Sequence, residues 1–344
     1  MKMNFAVGMN AHERMDEIGD HARVAEESGF SCITYVDQPY MSRDVFASTT
    51  IAALNTHQIK IGPGVVDLTT HHPLAIAGAA ASIDELSGGR VIVGIGPGGA
   101  FGDTMRPQTV KETRNAVAFI QRFTNGETVE AYGQNIRCKF HNRQLPVYIG
   151  ANGPRMLEMA GGIADGVIFS SAFGAHPLML KWRLEQIERG ALKAGRDPSE
   201  IDVWARAMIY VTDSMEEAVP EVAGYVMNSA RSTIRTLRNG NPDQIRIINA
   251  MEKEAPGLLN ECQRVADAWT PEWNEHNDAP AAKFITKLTT GLYHMVGKPD
   301  DICDKIAKVG QLGIKTMATV TYPLSDKKGM LKEIGDKVMI HFRK

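Results

Sequence analysis

Val147-Tyr148-Ile149-Gly150-Ala151-Asn152-Gly153-Pro154-Arg155 passes from three apolar strand formers, through a glycine-punctuated turn, to a proline suited to the first turn of a helix. The next strand, Val167-Ile168-Phe169, follows one helix later. Upstream the same grammar repeats. Asn4 to Gly8 is a short apolar run, and Met15 to Ser28 carries apolar residues at helical spacing. Cys32 to Val36 is β-branched and aromatic, and Asp44 is placed to cap a helix running to about His57. Ile59 to Ile61 is strand three, Pro73 to Leu86 an alanine-rich helix, Val91 to Ile95 strand four, and Val110 to Phe123 its helix. Downstream come a helix from Pro177 to Ala194, strand seven over Val203 to Val211, a helix between Pro299 and Leu312, strand eight over Thr316 to Val320, and a closing helix. Continuously apolar strands fit a parallel sheet covered on its outer face. Eight β-then-α units predict a closed (β/α)8 TIM barrel, taken as one domain over 1–344, with an open doubly wound sheet as the alternative.

Two stretches interrupt the pattern. Residues 127–140 alternate on either side of Tyr132-Gly133 and predict a β-hairpin before strand five. Residues 215–290 predict a long helical insertion between strands seven and eight, carrying Tyr225, Trp269 and Trp273. A wall or lid beside the strand ends and a dimer-packing or purely structural insertion are equally open readings.

The bulk numbers exclude several classes. Lys and Arg total 38 against 40 Asp and Glu, a net charge of −2. That balance gives no basic field for nucleic acid or an anionic membrane. No window reaches the roughly 20 apolar residues of a membrane span. Charges appear soon after the start, so no signal peptide is expected. Cys32, Cys138, Cys262 and Cys303 are scattered, which reads as reduced thiols in a cytoplasmic protein rather than a zinc site or disulfide framework.

Chemistry is expected where the strands end. In Gly150-Ala151-Asn152-Gly153, glycines let the backbone approach a ligand, and free amides at a helix start attract phosphate. A plain turn and cap reads the same residues without a ligand. Ser170 and Ser171 offer hydroxyls after strand six. Gly62-Pro63-Gly64-Val65 ends strand three as either a turn or a specially shaped backbone. Gly94-x-Gly96-x-x-Gly99 formally matches a dinucleotide fingerprint, yet its first glycine lies inside the strand and no helix opens at its third. Gly96 and Gly98 are instead expected to keep room for a flat ring. Asp37-Gln38 closes strand two and Asp67 lies just beyond strand three, with helix-cap or loop roles as the alternative. In His71-His72-Pro73 neighbouring imidazoles do not readily share one ion, so no metal is expected. His72 is taken as a hydrogen-bonding group at the strand ends.

Several runs resemble the luciferase-like monooxygenases and their deazaflavin-dependent relatives: His72-Pro73-Leu74-Ala75, Ser82 to Arg90, and Gly94-Ile95-Gly96-Pro97-Gly98. Gly150 to Leu157, Ala160-Gly161, Ile163 to Val167, and Val296 to Asp300 are similar to the branch of methylenetetrahydromethanopterin reductases, which use coenzyme F420. The likeness covers residues 1–214 and 291–344. It implies a non-prolyl cis peptide at Gly64-Val65 against the cofactor ring, a phosphate held by Gly150, Ala151, Asn152, Gly153 and Ser170, and Gly96 and Gly98 along the ring. It also implies a homodimer.

The chain departs from the pterin-reductase pattern where it has Gly8 and Gly99 in place of acidic residues. It has Asp37-Gln38 where Asp-His is common, and Val66-Asp67-Leu68 where Thr-Asn-Pro is common. Three readings follow. The first is an F420-dependent reductase or dehydrogenase transferring hydride to or from a small organic substrate, with Asp37 for positioning or proton transfer and Gln38 or His72 holding the ring edge. The second is an FMN-dependent monooxygenase fed by a separate flavin reductase. The third is a non-catalytic flavin-binding protein.

Overall fold

The computed structural model describes residues 2–10, 12–98, 105–170, 172–273, 276–322 and 324–343. The chain divides into two compact units. The larger comprises Phe5–Ile168 and Arg183–Trp204, and the other Met1–Asn4, Phe169–Trp182 and Ala205–Lys344.

Strand and helix alternate through the larger unit as the apolar pattern predicts. In chain order the elements are β1 (Asn4–Met9), α1 (Met15–Glu27), β2 (Cys32–Tyr35), α2 (Val45–Asn55), β3 (Lys60–Pro63), β4 (Val66–Asp67), α3 (Pro73–Ser87), β5 (Val93–Gly96) and α4 (Val110–Thr124). The hairpin strands β6 (Val129–Ala131) and β7 (Gln134–Ile136) follow, then β8 (Val147–Gly150), α5 (Pro154–Ile163), β9 (Gly166–Ile168), α6 (Pro177–Lys193) and β10 (Asp202–Arg206). All the strands of this unit's main sheet pair in parallel. β1, β2 and β3 adjoin in that order, and Ile61 bridges Val91 at the foot of β5. β5 pairs with β8, β8 with β9, and β9 with β10, while the short β4 lies beside the end of β5. Every residue of β2, β5 and β9 is buried, which explains their unbroken apolar character.

Local chemistry sets the helix starts. The Asp44 side chain accepts the Ala47 N–H at 2.7 Å, the cap read from sequence. Thr109 and Glu112 form a capping box on α4, satisfying two first-turn donors reciprocally. The hairpin turns at Tyr132-Gly133, with Val129 opposite Ile136.

The second unit corrects the reading of strand seven. Val203 to Val211 is not one strand. β10 ends at Arg206, the chain steps sideways at Ala207-Met208, and Ile209–Val211 forms β11. β11 pairs with β12 (Met295–Gly297), a strand absent from the sequence reading because three residues beside Lys298-Pro299 carry little periodic signal. Ala207 N–H bonds to Ala318 O at 3.0 Å, and Ile209 N–H to Thr319 Oγ1 at 2.9 Å. Both ties anchor the step to β13 (Thr316–Val320).

The insertion is helical as expected: α7 (Met215–Asn239), α8 (Pro242–Glu254), α9 (Leu258–Ala268) and α10 (Lys287–Tyr293), ahead of α11 (Pro299–Gln311) and α12 (Lys327–Lys337). Buried Glu261 ties α9 to the start of α10, accepting from Thr286 N–H at 2.8 Å, Thr286 Oγ1 at 2.7 Å and the Thr289 hydroxyl. Tyr225, on the insertion read either as a lid or wall or as structural packing, is buried with its ring against His294 and Tyr322. Burial pushes the His294 imidazole down to about 3. It therefore stays neutral, accepting the Met208 N–H at Nδ1 and meeting Ser229 Oγ at Nε2. These are packing roles.

Candidate active site

The exit of β2 and the segment after β3 run side by side in the larger unit. Gly64 N–H donates to Tyr35 O at 2.7 Å, and Asp67 N–H donates to Asp37 Oδ2 at 2.9 Å. Asp37 is only 5% exposed, so this carboxylate is held in place rather than solvated. Its Oδ2 also lies 3.2 Å from Nδ1 of His71. Thr70 Oγ1 donates to Asp67 O at 3.1 Å and turns a lone pair toward the same Nδ1 at 3.0 Å. Two acceptors at Nδ1 place the proton there. His71 Nε2 makes no hydrogen bond among the described residues. The hydrogen bond that His71 donates to Asp37 raises the imidazole above its usual range, against the opposing effect of partial burial. A buried carboxylate on Nδ1 with Nε2 left over is a competent proton-transfer arrangement.

His71 therefore occupies the place expected of His72. The ring of His72 is exposed, caps α3 by accepting the Leu74 N–H at 3.1 Å, and stacks on Tyr132 at 4.9 Å. It serves the helix and the hairpin. Gln38, half-buried, keeps its Oε1 buried with no hydrogen-bond partner, while its backbone carbonyl accepts from Met41 and Ser42.

The peptide bond between Gly64 and Val65 is cis, as the resemblance implies. A Cβ on Gly64 would collide with the Thr34 side chain. Val65 then presses into β5 and β8. Ideal Cβ atoms built on Gly94, Gly96 and Gly150 would approach its methyl groups at 3.3, 2.8 and 3.3 Å. Gly98, at φ +113°, would meet Thr69 and Asp67. This corrects the expectation for Gly96 and Gly98. Their missing side chains leave room for the protein's own Val65 and Thr69, not directly for a ligand.

The loop after β8 differs. A Cβ on Gly153 would meet nothing within 4 Å, and no side chain caps α5. Ala151 is buried, with its N–H bonded to Ile168 O at 3.3 Å. Asn152 Oδ1 accepts from the guanidinium of Arg183 at 3.3 Å. Arg183 is 1% exposed, and burial pushes it down to about 9, still charged at neutral pH. Sequence reasoning passed over this arginine because it sits on α6, thirty-one residues away. Ser170 lies in the second unit and its Oγ accepts the Ala172 N–H at 3.2 Å. Ser171 and Gly99 fall outside the described residues.

The signature run Ser82 to Arg90 braces the scaffold. Arg90 binds the carbonyls of Ala53, Thr56 and Ile59, closing the end of α2. Asp84 accepts from Val91 N–H, His141 and Arg143. Among the described residues no group of His, Cys, Asp and Glu is arranged to hold a metal ion, and no helix is long and apolar enough to cross a membrane.

The chain is 29% identical over 346 residues to the 5,10-methylenetetrahydromethanopterin reductase of Methanolobus tindarius, covering 98% of this chain and 100% of that one. It is 25% identical to the F420-dependent glucose-6-phosphate dehydrogenase of Microbacterium testaceum, covering 96% and 94%. Among solved structures it superimposes on the coenzyme F420 dependent tetrahydromethanopterin reductase of Methanopyrus kandleri with a TM-score of 0.80, at 24% identity, covering 99% of this chain and 100% of that one. It shares the (β/α)8-barrel fold of that protein. The sequence profile of the family described as luciferase-like monooxygenase matches residues 3–316, and the chain belongs to that family.

Proposed function

We propose that this protein is an oxidoreductase that moves a hydride between a deazaflavin of the F420 type and a small organic substrate, with Asp37 and His71 moving the accompanying proton. One observation carries the reading: a buried carboxylate holding an imidazole by Nδ1, with that imidazole six residues beyond the Val65 bulge. The relatives named for F420 support the cofactor.

The residues fit a phosphate-tailed tricyclic ring. Gly153 leaves open space at an uncapped helix start, where amides and helix dipole favour an anion. Gly150, Ala151 and Asn152 complete that loop. Val65, backed by Gly96, offers an apolar face for the ring, with Gly98 beside Thr69 next to it, and Gln38 Oε1 is a buried acceptor still seeking a donor. Ser170 and Ser171 are further candidates for the phosphate. When bound, a deazaflavin supplies a ring carbon that accepts or releases hydride. In the oxidising direction His71 Nε2 takes the proton of a substrate hydroxyl as its carbon gives up hydride; in the reducing direction it returns that proton. Asp37 stabilises the imidazolium, and the Asp67 N–H fixes Asp37.

A second reading, an FMN-dependent monooxygenase supplied by a separate flavin reductase, draws on Gly8, which faces Thr34 across β1 and β2 where pterin reductases carry an acid. Titrating the protein with the F420 deazaflavin and with FMN, followed by fluorescence, separates them. Tight deazaflavin binding without oxygen uptake is expected. Preferential FMN binding with oxygen uptake overturns the first reading, and binding of neither overturns both, leaving a non-catalytic role. The proposal takes residues 1–344 as one functional domain and the protein as a cytoplasmic homodimer. Four free cysteines suit a reducing compartment, and mass in solution tests the dimer.

A further inference from the structure

His71 stands at the end of a short turn that starts at Asp67, and the turn is built by its own side chains. Asp67 Oδ1 accepts the Thr69 N–H at 2.7 Å and the Thr69 hydroxyl at 2.6 Å. Asp67 O accepts the backbone N–H of Thr70 at 3.2 Å and that of His71 at 3.1 Å. Leu68 N–H ties the turn to Gly96 O at 3.1 Å, and Phe46 on α2 packs against the imidazole with ring centroids 5.8 Å apart. Of the two acceptors that meet Nδ1, the nearer is not the carboxylate. Thr70 Oγ1 lies at 3.0 Å and Asp37 Oδ2 at 3.2 Å, and that carboxylate oxygen also takes the Asp67 N–H.

The Thr70 hydroxyl has one proton to give and two directions in which to give it. Given to Asp67 O, at 3.1 Å, it leaves a lone pair facing Nδ1, and an Nδ1–H satisfies that lone pair. Given to Nδ1, it needs a bare nitrogen there, whose own lone pair would stand 3.2 Å from the Asp37 carboxylate. The first arrangement satisfies every group; the second sets two acceptors against each other. Nε2 of the neutral ring is bare only in the first. We propose that Thr70 is a positioning residue that holds His71 in the Nδ1–H tautomer and so keeps Nε2 free to take the substrate proton. The charges acting on His71 are those of Asp37 and Asp44. Thr70 carries none, so it contributes direction where Asp37 contributes charge. The functional meaning rests on the hydride-transfer reading above and deepens it, because a hydroxyl and a carboxylate together make the proton acceptor of that reaction.

The test reads His71 in the full-length protein with no cofactor or substrate added, so it stands apart from the deazaflavin titration. Thr70 is exposed, and Thr70→Val keeps its shape while removing the hydroxyl, so the thermal midpoint should hold. On the alkaline side of the His71 titration, nitrogen NMR of the imidazole should show the hydrogen on Nδ1 in the wild type. In Thr70→Val the ratio of that tautomer to the Nε2–H form should fall about fivefold, the size of one neutral hydrogen bond. Thr70→Ser, which keeps the hydroxyl, should restore the wild-type ratio. In Thr70→Val the His71 titration should stay above the usual histidine range, because Asp37 is untouched. An unchanged ratio in Thr70→Val overturns the proposal, since Asp37 alone would then fix the ring. So does an equal fall in Thr70→Ser, because the effect would not follow the hydroxyl, and so does a wild-type ring with its hydrogen on Nε2. The expected pattern together with failure to bind deazaflavin would remove the reaction and leave the tautomer assignment standing.

Discussion

At the exit of β5, a Cβ on Gly94 would run into the carbonyl oxygen of Pro63, and one on Gly96 into Val65; at the exit of β8, a Cβ on Gly153 would meet nothing within 4 Å. The two segments look alike as sequence, each an apolar run broken by glycines. In space the first set of glycines is filled by the chain itself. The second stands open at a helix start. Glycine serves packing in one case and access in the other, and only the surroundings tell which.

The sharpest way to break that comparison is to add one methyl group at each exit. Gly94→Ala forces a Cβ against backbone, which cannot rotate away as a side chain can. It should cost about 3 kcal/mol, the upper range for overpacking, read as a shifted urea midpoint at constant slope. Gly153→Ala should change stability by no more than about 0.5 kcal/mol, as at ordinary surface positions. Equal costs at the two sites would erase the distinction.

Enlarging the open position should separate binding from folding. Gly153→Leu fills the space that a phosphate would use, so deazaflavin affinity should fall about 100-fold, near 2.7 kcal/mol, with the thermal midpoint almost unmoved. Unchanged affinity would place the phosphate elsewhere.

Much of this was legible in the sequence, because a buried parallel strand leaves a contiguous apolar signature whatever its partners. The caps at Asp44 and Thr109 were local as well. What escaped depended on distant partners. The role of Gly94 and Gly96 is set by Val65, some thirty residues away, and nothing local marks it. β12 is three residues long, too short for a period. The division of strand seven at Ala207 arises from pairing with β12 and β13 rather than from any breaker residue. Arg183 was invisible as a site residue because an arginine on a helix ordinarily faces water, and only burial beside Asn152 sets it apart. The run Ser82 to Arg90, which carried part of the family resemblance, braces the scaffold.

The proton-transfer pair carries a pH signature. His71 is raised by Asp37. A raised folded-state value means the pair contributes stability that is present in full below the unfolded value of about 6.5 and is lost as pH rises through the folded one. The stability difference between wild type and Asp37→Asn should therefore be larger on the acid side of this window than at alkaline pH. In the variant, the His71 resonance should titrate at lower pH by NMR. An unchanged His71 titration would mean the carboxylate does not govern it. The readout is free of cofactor and substrate, so it tests the geometry by itself.

A modest effect lies one residue further on and compares the two histidines directly. His72 caps α3 through Nδ1 and leans on Tyr132, a residue 76% exposed. Removing a side-chain cap costs about 0.5–1 kcal/mol, and an exposed stack adds little. His72→Ala should lower stability by that amount and leave the His71 titration and deazaflavin affinity at wild-type values. His72→Asn should restore most of the loss, because an asparagine oxygen can accept the same first-turn N–H. If His72→Ala instead shifts the His71 titration or weakens cofactor binding, the two neighbours act together. The division of labour drawn here, one imidazole for the helix and one for the proton, would then be wrong.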